Sequence, residues 1–110
     1  MTKNIYDISH IPVDMGEIFQ DLCTHNNVRI ECIVSYGDTT PQGEWYDQDW
    51  GEWVMVLQGS ADMTVIIDGV QTDVALHTGD STFFPPHQKH RVNRTDSPTI
   101  WLAVHVYKAG

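Results

Sequence analysis

The stretch Ala61-Asp62-Met63-Thr64-Val65-Ile66-Ile67-Asp68-Gly69-Val70-Gln71-Thr72-Asp73-Val74-Ala75-Leu76 reads as two β-strands joined by a tight turn. Ala61, Met63, Val65 and Ile67 alternate with Asp62, Thr64 and Asp68, and Val70, Thr72, Val74 and Leu76 resume the same period of two. Successive side chains on a strand leave opposite faces, so this period marks a half-buried sheet. Asp68-Gly69 is a dipeptide that tolerates positive φ at both central positions of a two-residue hairpin.

The period extends outward from this hairpin in both directions. Upstream, Val28, Ile30, Cys32 and Val34 alternate with Arg29, Glu31, Ile33 and Ser35, and Trp53–Leu57 is a short apolar strand ended by Gln58-Gly59. Downstream, Ser81–Phe84 is a strand stopped by Pro85-Pro86, since proline cannot donate to a ladder. His90–Thr95 and Thr99–Tyr107 follow, separated by Asp96-Ser97-Pro98. Seven or eight short strands at this spacing predict an all-β sandwich or barrel. The first residues are an N-terminal arm, 1–27, ahead of a barrel over 28–110. Within the arm, Ile18, Phe19 and Leu22 suggest a helical turn or two, and Ile5, Tyr6, Ile8, Ile11 and Val13 could add a strand to a sheet edge.

Composition limits what such a barrel can do. The 110 residues amount to one domain. Fifteen acidic against six basic residues give a formal charge of −9, which repels phosphate and argues against a nucleic-acid partner. The longest apolar runs, Trp53–Leu57 and Ile100–Val104, fall far short of the roughly 18 residues of a spanning helix, so no membrane partner is expected. The start of the chain lacks the apolar stretch of a signal peptide, and Cys23 and Cys32 are too few for a disulfide framework. A reduced cytoplasmic protein, paired as a homodimer and binding a small molecule, is the expectation.

Two segments resemble the paired motifs of the cupin superfamily. In the first, Gly43 to Gly59, Glu52 stands seven residues before Gly59; in the second, Gly79, Pro85 and His90 have the family spacing. The resemblance implies a double-stranded β-helix, or jelly-roll, barrel in which a His-x-His pair, a glutamate and a later histidine hold one divalent metal. Iron, manganese, nickel and zinc all suit that expectation. The spacing places Tyr46 and Gln48 where the two histidines would stand.

Tyr46 and Gln48 are two apart, so on an extended segment they leave the same face. A carboxamide oxygen and a phenol are weaker ligands than imidazoles for nickel or zinc, and the alternative is a hydrogen-bonded pair lining a metal-free pocket. Glu52 is a ligand, a buried acid or a strand-entry surface charge. His90 begins an alternating strand, and is a ligand or a core histidine bonded to a backbone carbonyl. His105 lies on the face of Trp101, Ala103 and Tyr107, where a buried ring needs a partner. The candidate metal set is therefore Tyr46, Gln48, Glu52, His90 and His105. The candidate substrate pocket is Tyr46, Trp53, His87 and His105. His10, His25 and His77 fall in turns or at strand ends and read as surface residues.

Overall fold

Eight strands carry the fold in the computed structural model, which describes residues 2–108: β1 (Ile18–His25), β2 (Val28–Ser35), β3 (Gly51–Gln58), β4 (Ala61–Ile67), β5 (Val70–Leu76), β6 (Ser81–Phe84), β7 (His90–Thr95) and β8 (Thr99–Val106). They form a five-stranded sheet, β1-β2-β8-β3-β6, facing a three-stranded one, β5-β4-β7, with every pairing antiparallel. The β4–β5 hairpin turns at Asp68 and Gly69 with φ of 50° and 76°, the double positive turn that this dipeptide favours.

The main core lies between the sheets. Val54, Val56, Trp101, Ala103 and Phe84 from the larger sheet meet Ala61, Met63, Val65 and Leu76 from the smaller one. A second core sits on the outer face of the larger sheet. There Cys32, Val34 and Ile100 are buried beneath Ile11, with Ile5, Ile8, Ile18 and Leu22 packed around them. The apolar residues Ile5, Ile8 and Ile11 thus cover a sheet face of their own chain from irregular backbone followed by one 3-10 turn at Val13–Met15 and do not extend a sheet edge, whereas the last part of the arm, β1, is itself the edge strand.

This cover decides which side of β2 lines the barrel. Its apolar residues Cys32 and Val34 face the arm, and the alternate set of Arg29, Glu31, Ile33 and Ser35 faces the interior. The helical turn expected at Ile18, Phe19 and Leu22 is instead β1, paired along β2 from Ile18↔Val34 to His25↔Val28. Apolar residues one and four apart fit either a helix or a strand, and pairing with β2 decides for the strand. Neither cysteine is paired; Cys23 is exposed and Cys32 buried. Among the described residues no helix is long and apolar enough to cross a membrane.

Candidate functional site

The sheet register assembles a polar cluster at one end of the barrel. On β3, Glu52 lies opposite Phe84 of β6 on one side and His105 of β8 on the other, and His105 in turn pairs across to Arg29 of β2. The other sheet contributes His90 at the start of β7. The loop before β3 is tied to it by a bridge in which the Tyr46 amide donates to the His90 carbonyl at 2.8 Å and the His90 amide donates back at 3.2 Å. Glu31, Glu52, His90 and His105 are all at least nine-tenths buried.

His90 is held as a neutral base. Its ring stacks on Phe84, centroid to centroid 3.8 Å and 3° from parallel, with Tyr46 on a second side at 5.4 Å. Its Nδ1–H donates to the Gln88 carbonyl at 2.9 Å, since a carbonyl can only accept, and this leaves the lone pair on Nε2. Burial pushes its pKa below the ordinary histidine value. Nε2 faces Glu52 Oε1 across 3.9 Å, too far for a hydrogen bond. Burial also raises the Glu52 pKa, with His105 opposing and Glu31 adding to the rise. Gln48 donates its amide N–H to Glu52 Oε1 at 3.1 Å.

A mouth cavity of about 310 Å³ opens over this cluster, lined by Arg29, Glu31, Gln48, Trp50, Glu52 and His105 among others. It shares Phe19, Ile33, Tyr46, Glu52 and His90 with a smaller, mostly apolar recess of about 50 Å³ backed by Met63, Phe84 and Trp101. Glu17, at the edge of the recess, accepts the Ser35 hydroxyl proton at 2.5 Å, and burial raises its pKa too. Burial likewise raises the Tyr46 phenol, aided by the nearby carboxylates of Glu17 and Glu52.

Tyr46, Gln48, Glu52, His90 and His105 therefore converge at the mouth. Trp53 does not: it is one residue from Glu52, so the pleat sends it to the outer face, between Phe83 and Val104. His87 is also outside. It sits in a positive-φ turn with an exposed side chain whose Nδ1 lies 3.0 Å from Asp47 Oδ1, over a separate surface groove. His10, His25 and His77 are exposed. Arg29, Glu31 and Glu17 are the site residues that sequence reasoning missed. Their strand or its approach looks solvent-facing until the arm is known to cover the other side.

These residues fit a tightly held divalent metal poorly. Among the described residues no three His, Cys, Asp or Glu side chains converge closely enough to hold one. His90 Nε2 and the Glu52 carboxylate are available, but Gln48 turns its N–H toward the site, the Tyr46 phenol resists ionisation, and both His105 nitrogens are engaged by Trp50 and Glu31.

Comparison with known proteins supplies the family. A family model described as "Cupin domain" matches residues 32–105. The chain belongs to the cupin family. This cupin is similar to a solved Ralstonia eutropha JMP134 protein provisionally named a mannose-6-phosphate isomerase, at 39% identity and a TM-score of 0.86, covering 98% of this chain and 99% of that one. It is also similar over 72 residues, at 28% identity, to a Burkholderia cenocepacia 3-hydroxyanthranilate 3,4-dioxygenase; the match covers 66% of this chain and 41% of the relative. An Fe(II)-bound HppE shares the fold at 17% identity, with a TM-score of 0.67 over 82% of this chain and 49% of that one. The same fold thus occurs in structures of HppE described with Fe(II) and with Co(II).

Proposed function

We propose that the mouth of this cupin binds a small, uncharged, hydroxyl- or carbonyl-bearing molecule directly on Glu52 and His90. The observation that carries the reading is the 3.9 Å gap between an unprotonated His90 Nε2 and a carboxyl whose pKa burial has raised. A ligand hydroxyl in that gap can donate to His90 Nε2 and lie within reach of the Glu52 carboxyl. The same pair could move a proton between neighbouring atoms of a bound molecule, which is general acid–base work of the kind an isomerase needs. Three acidic side chains, Glu17, Glu31 and Glu52, line the cavities against the single guanidinium of Arg29, which disfavours a phosphate ester despite the name of the Ralstonia relative.

The test is amide and side-chain NMR of tag-free protein with millimolar mannose, mannose 6-phosphate and 3-hydroxyanthranilate as probes. Mannose should perturb Tyr46, Gln48, Glu52 and His90, and Glu52→Gln with His90→Gln should remove the response. Preference for the phosphate ester, or no perturbation at the mouth by any probe, would contradict it. Iron, manganese, nickel and zinc belong to this reading only as weakly bound ions at Glu52 and His90.

A homodimer is part of the same proposal. Phe83 and Val106 are exposed on the outer face of the larger sheet, next to half-buried Trp53, Met55 and Val104, outside the cluster that the described arm residues cover. Such a strip is better covered by a second copy than left in water. Two unpaired cysteines support a reducing, cytoplasmic setting.

A further inference from the structure

His105 sits 3% exposed between two buried carboxylates, and its proton position follows from its partners alone. The Trp50 indole N–H, which can donate but never accept, points at His105 Nδ1 from 2.9 Å. Nδ1 must therefore carry a lone pair, because a proton there would set two N–H groups against each other. A neutral imidazole holds one proton, so it resides on Nε2 and is donated to Glu31 Oε1 at 2.7 Å, with Glu52 Oε2 at 4.0 Å from the same nitrogen. Arg29 approaches the far oxygen of Glu31 at 3.9 Å.

We infer that Trp50 and Glu31 fix His105 as a neutral Nε2–H donor, a positioning residue that bridges Glu31 toward Glu52 and is withheld from any cation entering the mouth. The consequence is selectivity. A metal ion needs an imidazole lone pair, and the nitrogen of His105 that faces the carboxylates carries a proton instead. The mouth keeps one free imidazole nitrogen, that of His90, and so favours a ligand that hydrogen-bonds over one that coordinates. This deepens the metal-free reading above, yet its test needs no small-molecule ligand.

The experiment is ¹⁵N NMR of the imidazole nitrogens of tag-free protein at pH 7, paired with calorimetric titration by zinc chloride. In the parent protein, His105 should show one tautomer, with Nε2 protonated and Nδ1 bare. Trp50→Phe combined with Glu31→Gln keeps the aromatic ring and removes both contacts that fix the tautomer, the indole N–H and the carboxylate. The double variant should let the proton move to Nδ1, and the freed Nε2 should raise zinc affinity at least tenfold. A parent spectrum with Nδ1 protonated would overturn the inference by itself, whether or not the variant folds. A folded double variant with an unchanged tautomer and unchanged zinc affinity would overturn it as well. Failure of mannose to bind would instead count only against the ligand reading.

Discussion

His90 shows how one buried side chain couples the site to stability. Its pKa is lowered in the folded state, so native protein resists the proton that an unfolded chain accepts near the ordinary histidine value of about 6.5. Its contribution is therefore fully present above that pH and is lost as pH falls below it toward the lowered native value. Glu52 and Glu17, with raised pKa values, act in the opposite sense over the carboxylate range, since their burial is easier when protonated. The difference between variants isolates the histidine. His90→Gln should lose less melting temperature than the parent between pH 7 and pH 5; an equal loss would mean that His90 titrates normally in the fold. At the same scale, Tyr46→His with Gln48→His should tighten nickel or zinc binding at least tenfold, about 1.4 kcal/mol, because both positions already converge on Glu52 and His90. Removing either Glu52 or His90 should cancel that gain. A double variant binding no better than the parent would show that the two side chains do not aim at a common point.

At the scale of elements, the strands were the legible part of the sequence. The Ala61–Leu76 hairpin, the alternation of Val28–Ser35 and the proline stop after Phe84 reflect periods and turn chemistry that a local window contains. The site was half legible. Motif spacing pointed to Glu52 and His90, but placing Trp53 in the pocket went against the strand's own period of two, which sends adjacent residues 52 and 53 to opposite faces. Glu31 escaped for a related reason. On an isolated strand the polar face is assumed to meet solvent, and only packing of the arm against Cys32 and Val34 reverses that assignment. The arm is therefore predicted to be structural. Ile11→Ala should cost about 2–4 kcal/mol in urea unfolding, as truncations at buried aliphatic positions do. A cost below about 0.5 kcal/mol would mean that the arm does not hold the sheet. Gly59 is the turn position least able to change, because it has φ of 86° and an added Cβ would lie 2.7 Å from the Pro98 carbonyl oxygen and from the Thr99 hydroxyl. Gly59→Ala should destabilise by about 2 kcal/mol or more.

The whole molecule is a barrel with two different outer faces and one polar mouth. The arm covers part of the larger sheet, leaving the strip around Trp53, Phe83 and Val106 for a partner copy. Light scattering at micromolar concentration should give twice the 12.5 kDa chain mass, and Phe83→Lys should halve it. A single species at the chain mass would remove the dimer while leaving the mouth untouched, since Glu52, His90 and His105 all come from one chain. The proposed binding place of a small polar molecule is this mouth, where Glu52 faces a bare His90 Nε2. The most direct measurement is a crystal structure of the tag-free protein soaked with mannose. A hydroxyl oxygen is expected within hydrogen-bond distance of both His90 Nε2 and the Glu52 carboxyl. Sugar density confined to the groove beside His87 or to the arm, with the Glu52–His90 gap holding only solvent at saturating probe, would contradict it.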